Sequence, residues 1–402
     1  MTARGRALTV TAIAALVLAA CGPGTGGGTA GSPGGSPPAG SPGESAGVPG
    51  ASAGSPAASD GGGAAAGCDF SAQTVGPNGE PSTPADSVGL TDAEANQIKG
   101  KSLKMAMLWA GAGPWYNALS AGASDEAKRL GIAVVATTEA NFDPAKQATD
   151  VETAMAPNPD IVLTLVVDPT SGAQAFRPVV NAGKALVFVD NGADGYHAGR
   201  EYVSVVTGDH LGLGRSAADL MNQALGGQGS IGYIFHDATF YVTNNRDREF
   251  RRTIQCKYPG IKIAAQQGFA EEGKTEAIAS AMLTQHPEIK GIYVAWDTAA
   301  EGVVAAIRAA GREDVKVVTI DLGANNDLDM AQGKTVFGKV ADRPYEEGQK
   351  MVDLAAYKIL GKQAPPFVTV PTVVATKEKL VEAYKQSFNS DPPADVKKAL
   401  GA

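Results

Sequence analysis

Residues 103–130 read LKMAMLWAGAGPWYNALSAGASDEAKRL. The apolar run 103–108 is long enough for one buried strand, and Gly111 and Gly113 break it. Pro114 and Asn117 follow, and Leu119, Ala123, Ala127 and Leu130 recur at helical spacing up to Gly131. Strand, glycine-rich turn and helix form the first half of a βαβ unit, whose ligands sit outside the carboxyl ends of the strands. Trp115 and Tyr116 stand at that place. Two adjacent aromatics there make an apolar platform with polar edges, suited to the C–H face of a sugar ring. The plainer alternative is that both rings pack on a neighbouring loop.

The same pattern continues outward. Strands at 132–137, 161–166, 185–189 and 203–206 interleave with helices at 144–155, 170–182 and 211–225. A second series places strands at 230–235, 261–266, 289–294 and 315–320, with helices at 243–258, 274–285 and 299–310. Uninterrupted alternation with strands apolar on both faces predicts an α/β fold of open parallel sheets covered by helices. The two series match internally. Each begins with a strand and a loop carrying paired aromatics, Trp115-Tyr116 in one and Phe240-Tyr241 in the other. Two similar doubly wound lobes facing one another would place both loops on a shared cleft.

Of the 402 residues, 50 are Gly and 24 are Pro, too many for one compact fold of this size, so a low-complexity region is expected. A formal net charge of −8 with no basic stripe argues against a nucleic-acid partner. Arg4 and Arg6 precede an apolar stretch at 7–17, too short to span a bilayer, and Leu18-Ala19-Ala20-Cys21 follows. That arrangement resembles a bacterial lipobox, which implies a signal peptide over 1–20 and a diacylglycerol on Cys21. The alternative is an ordinary secretory signal cut nearby. From 22 to 66 nearly every residue is Gly, Ala, Ser, Pro or Thr. Such a tether of some 45 residues spans roughly 35–40 Å. Residues 69–100 remain rich in turn formers, with a helix expected over 91–98 behind a Thr91/Glu94 capping box. Cys68 and Cys256 remain; outside the cytoplasm such a pair can oxidise, although separation in sequence does not establish proximity.

From about 101 to 376 the chain resembles the type I periplasmic sugar-binding proteins of ABC importers, in the ribose-binding group. The landmarks are Pro114-Trp115-Tyr116, Val189-Asp190-Asn191, Asp209-His210-Leu211-Gly212, Asn245-Arg246-Asp247-Arg248, Trp296-Asp297, Ile320-Asp321 and Ala341-Asp342-Arg343-Pro344. The resemblance implies two lobes joined by three crossings near Gly208, Asp342 and Thr369. The N-terminal lobe would take 101–208 and 342–368, the C-terminal lobe 209–341 and 369–376, with a tail helix over 377–402. It also implies that Trp115 and Tyr116 stack on the guest and that Asp190 and Asp321 accept hydrogen bonds from hydroxyls. Arg246 would be the pocket guanidinium of the second lobe, and Phe269 a pocket aromatic. Three positions depart from the ribose pattern: Asn191 where that group carries Arg, Trp296 where it carries Asn, and Asp342 where it carries Gln. Asp297 follows the pattern.

Other signals carry no chemistry. Gly227-Gln228-Gly229-Ser230-Ile231-Gly232 precedes a strand instead of joining strand to helix, so it is a turn. His197, His210, His236 and His286 have no ligand spacing, and no metal or cofactor is implied. Residues 325–329 lack the glycine and terminal Glu of a calcium loop and read as a loop and helix start. A nucleophile elbow is absent. The function expected is a monomeric lipoprotein of the cell membrane. It would capture a small neutral sugar or polyol and deliver it to an ABC permease without acting as an enzyme. The alternatives are an extracytoplasmic sugar sensor docking on a membrane receptor and a carbohydrate-active enzyme. A transcription regulator on the same core would need a DNA-binding helix pair where the lipobox and tether stand.

Overall fold

A computed structural model describes residues 68–401. The expected signal peptide, Cys21 and the tether lie outside them. The chain enters through β1 (Thr83–Pro84) and α1 (Asp92–Lys99), then alternates: β2 (Lys104–Trp109), α2 (Pro114–Arg129), β3 (Ala133–Glu139), α3 (Pro144–Met155) and β4 (Ile161–Thr164). Next come α4 (Pro169–Ala175), α5 (Arg177–Asn181), β5 (Ala185–Val189) and β6 (Val205–Gly208). The second series is α6 (His210–Leu225), β7 (Gly229–His236), α7 (Tyr241–Lys257), β8 (Ile261–Phe269), α8 (Thr275–Gln285), β9 (Ile289–Val294), α9 (Asp297–Ala309), β10 (Lys316–Ile320), α10 (Ala324–Ala331) and β11 (Val336–Ala341). The chain closes with α11 (Pro344–Leu360), β12 (Phe367–Val370), β13 (Val373–Thr376), α12 (Leu380–Phe388) and α13 (Ala394–Leu400).

The strands form two sheets, ordered β1-β12-β6-β5-β4-β2-β3 and β13-β11-β10-β9-β7-β8. Every pairing is parallel except β11 with β13. Strands β4 and β5 are buried along their whole length, which is why they read as continuous apolar runs. Each sheet has an apolar cluster on either face, so helices cover both sides and each lobe has its own core. The doubly wound, two-lobed architecture is the one expected.

Local chemistry sets the element ends. Thr91 and Glu94 form the capping box in front of α1. Asp143 accepts from the amides of Ala145 and Lys146 with Pro144 at the first helical position. Three elements differ from the sequence reading. The helix expected over 170–182 breaks at Phe176, because Pro178 has no amide to continue the ladder. The final strand expected across the lobes is two strands separated by Pro371. Thr369 and Val370 pair with Thr207 and Gly208 of the first sheet, while β13 joins the second. The tail at 377–402 holds two helices instead of one, separated at Asp391-Pro392-Pro393.

Helices α2 and α11 pack backbone to backbone. A Cβ on Gly122 would lie 1.9 Å from the Tyr345 carbonyl oxygen, and one on Gly348 would lie 2.1 Å from that of Leu119. Gly122→Leu is therefore expected to force the helices apart and destabilise the first lobe by about 1–3 kcal/mol or more. Urea unfolding measures this, and an unchanged midpoint would contradict the packing.

The segment before β1 is tied to both lobes. A disulfide joins Cys68 to Cys256 on α7. The Arg252 guanidinium donates to the Asp69 carbonyl at 2.8 Å and stacks 4.4 Å from the Phe70 ring. Arg215 on α6 donates to the Ala72 carbonyl at 2.6 Å. Thr74 donates to Asp209 and accepts from the Leu211 amide beside the first crossing. Beyond it, Asn78 donates to the Tyr196 carbonyl at 3.2 Å, and Tyr202 donates to Glu80 at 3.3 Å, both on the first lobe.

Candidate functional site

The carboxyl ends of the strands in both sheets bring the polar residues together. After β2, Gly113 adopts φ 130°, a backbone that favours glycine, and Pro114 then starts α2. This turn presents Trp115 and Tyr116 with ring centroids 5.0 Å apart and planes at 84°. The Trp115 indole N–H donates to Asp342 Oδ1 at 3.0 Å, linking the first loop to the segment that crosses between lobes. Phe142 packs edge-on to Tyr116 at 6.4 Å.

Asp190 and Asp321 hold equivalent places in the two lobes. Asp190 follows β5 and donates its amide to Val206 of β6; Asp321 follows β10 and donates its amide to Val340 of β11. Both are left-handed, with φ 60° and 65°. That conformation costs of order 1–3 kcal/mol per residue and collects where side chains must be aimed for function. Asp190 accepts from Thr207 at 2.6 Å, and Thr207 meets His210 Nε2 at 2.5 Å. Burial holds His210 neutral, pushing it down to about 3.

Arg246 on α7 places Nη1 3.6 Å from Asp321 Oδ2 and is only 5% exposed. Burial opposes its charge, but Asp321 and the neighbouring acids more than offset that and raise the guanidinium. The acids respond in the other direction. Burial pushes Asp190 up to about 6 against the opposing Thr207 hydrogen bond and Arg246. It also lifts Asp342 well above the carboxylate range, reinforced by Asp321 and Asp190. Asp190, Arg246, Asp321, Asp342, Trp115 and Tyr116 thus share one location, and both lobes contribute. Both polar atoms of the buried Asn191 side chain, Arg246 Nε and Asp321 Oδ1 have no hydrogen-bond partner among the described residues. Buried polar groups are nearly always paired, so this group of orphans is a place built for something else to pair with.

The remaining candidates form an aromatic wall on the second lobe. Phe269 at the end of β8 lies 4.8 Å from Trp296, and His236 stands edge-on to Trp296 at 4.9 Å. The Trp296 indole N–H donates to Glu272. Burial raises the Tyr116 hydroxyl, reinforced by Asp190, Glu272 and Asp321. Asp297, beside Trp296, lies within the electrostatic reach of Asp321. Its carboxylate lies where a Cβ on Gly323 would sit, 1.8 Å away, and its carbonyl accepts from Asn326 at 2.6 Å. Burial pushes it up to about 7 against Lys339.

Two contributors were not among the sequence candidates. Glu347 on α11 is fully buried with both oxygens unpartnered, and its carboxylate lies within 4.8 Å of those of Asp190 and Asp342. Asp247 supports the site from behind, accepting from the Tyr293 hydroxyl at 2.7 Å and the His236 amide at 2.9 Å. Residues 325–329 prove to be structural: Asp329 accepts from the amides of Thr335 and Val336, and Asp327 from the Tyr384 hydroxyl.

Two like-built lobes with aromatic, acidic and guanidinium groups converging between them define a small-molecule binding protein. The chain belongs to the family described as periplasmic binding protein domain, which matches residues 105–363. The ribose import binding protein of Escherichia coli is 23% identical over 265 residues, covering 66% of this chain and 87% of that protein. Among solved structures, an ABC transporter solute-binding protein from Mycobacterium smegmatis with bound glycerol is 25% identical, with a TM-score of 0.63. The likeness covers 73% of this chain and 99% of that one. One from Agrobacterium vitis, bound with α-D-tagatopyranose, has a TM-score of 0.64 at 21% identity, covering 71% and 99%.

Proposed function

We propose that the protein captures a sugar or sugar alcohol between its lobes and hands it to an ABC-type importer. One observation carries this reading: acids, an amide and a guanidinium from both lobes meet between aromatic rings, with several of their polar atoms unpartnered. The ring faces offer apolar surface to C–H groups, and the orphaned atoms match the alternating donors and acceptors of vicinal hydroxyls. A guest makes its full set of contacts only when both lobes reach it, so binding favours closure. The named ligands of relatives, ribose, tagatopyranose and glycerol, support this guest class. The guest is carried and not converted. The protein acts as a monomer outside the cytoplasm, held by lipid on Cys21. No helix among the described residues is long and apolar enough to cross a membrane.

A thermal-shift screen of the folded body against sugars and polyols tests the reading, since binding at a hundredfold excess over Kd adds about 2.7 kcal/mol to the native state. At least one such compound is expected to raise the midpoint. A well-folded sample indifferent to the whole panel would overturn it.

A further inference from the structure

The site holds more acid than base. Arg246 is engaged with Asp321 at 3.6 Å. Asp190 and Asp342 are 8% and 3% exposed, Glu347 is fully buried, and each offers an oxygen within 4.8 Å of the other two. Among the described residues none of the three has a cation within ion-pair distance. Their only hydrogen-bond donors are the Trp115 indole on Asp342 and the Thr207 hydroxyl on Asp190. Independently of the acids, Asn191, 2% exposed, leaves both side-chain polar atoms unpartnered beside Asp190, and Arg246 leaves Nε unpartnered. A guest is expected here, and what it meets is a surplus of carboxyl groups.

The surroundings select the kind of cation. A divalent ion seeks six or more oxygen ligands, and here three carboxylates stand beside an indole. An ammonium suits three acceptors: its N–H···O contacts of about 2.7–2.9 Å in tetrahedral directions hold them roughly 4.4–4.7 Å apart. Resting on the sugar or polyol reading above, we propose that the guest is an amino sugar or aminopolyol. Its protonated nitrogen lies among Asp190, Asp342 and Glu347, and its hydroxyls meet Arg246, Asn191 and Asp321. This departs from the neutral guest expected from sequence.

The proposal has a proton signature. Without a cation, burial raises all three carboxyls, Asp190 to about 6 and Asp342 and Glu347 well above the carboxylate range. An ammonium favours their ionised forms, so its binding releases protons, and its affinity rises with pH while the amine stays charged. Other charged or titratable groups around the cluster are Tyr116 on α2, Tyr241 and Arg246 on α7, Asp321 at the end of β10, Glu346 on α11, and His210 behind Thr207.

The test is calorimetric titration of the intact folded protein with matched pairs: sorbitol and glucamine, glucose and glucosamine, galactose and galactosamine. Buffers of different ionisation enthalpy count the protons. The amino member of at least one pair is expected to bind at least about tenfold tighter than its partner, with protons released and affinity rising from about pH 6 to 7, below the range in which a sugar amine loses its charge. Asp342→Asn, and Glu347→Gln as a second variant should the first not fold, are expected to erase the preference of the amino member over its partner, whatever either does to the neutral member's own affinity. If neutral members bind as tightly as their amino partners, or no protons are released, the proposal falls and the sugar or polyol reading stands. If no member of any pair binds, the proposal falls, and the sugar or polyol reading is decided by the thermal-shift screen.

Discussion

Replacing Trp115 with alanine is expected to weaken binding of whichever compound the screen returns by about 2–3 kcal/mol, roughly 30–150-fold. Two losses combine. The ring that faces the guest disappears, and Asp342, 3% exposed, loses the indole donor at 3.0 Å. Leaving a buried acceptor unsatisfied costs about 1–3 kcal/mol by itself. Trp115→Phe separates the two, because it keeps a ring and removes the donor, so its affinity is expected to fall between those of the parent and the alanine variant. Trp115 also packs on the first lobe's core, so unfolding must be measured alongside. Unchanged affinity in a folded Trp115→Ala protein would remove the aromatic platform from the binding site.

The second large effect concerns stability. Lys339 on β11 and Asp327 on α10 are both fully buried, with Nζ 2.7 Å from Oδ1. Around them, Tyr384 donates to Asp327 Oδ2 at 2.6 Å, and Lys339 reaches the Gly323 carbonyl at 3.4 Å. Lys339→Met removes one charge and strands the other, which costs about 3–5 kcal/mol. Urea unfolding followed through the second lobe should register this as an earlier transition. Adding Asp327→Asn removes the stranded charge while keeping an oxygen for Tyr384, and is expected to recover most of the loss. A Lys339→Met protein within about 1 kcal/mol of its parent would mean that the pair adds little.

The lobes were legible because strands buried on both faces produce unbroken apolar runs, and runs such as 185–189 need no tertiary information to be recognised. Trp115 could be placed because the strand end and helix start around it are marked by local residues, whereas Asp190, Arg246, Asp321 and Asp342 are placed by the resemblance to the ribose-binding group. Glu347 could not be placed. It follows Pro344 in the first turn of a helix, where an acid ordinarily complements the positive end of the dipole and faces water. Its burial follows from the close approach of α11 and α2 at Gly348 and Gly122, contacts between residues more than two hundred positions apart. Asp327 was opaque for the same reason, since its partners Lys339 and Tyr384 lie on other elements.

The stretch from Cys68 to Glu80 has a mechanical meaning for a molecule that must gape to exchange its cargo. It is pinned to one half at Cys256, Arg252 and Arg215, and to the other at Tyr196 and Tyr202. Between Ala72 and Asn78 the backbone can pay out no more than about 20 Å when drawn taut. It therefore works as a leash, limiting separation of the halves on this side and resisting further parting once straight. Because one end is a covalent sulfur bond in a compartment where such bonds persist, that limit lasts as long as the surroundings stay oxidising.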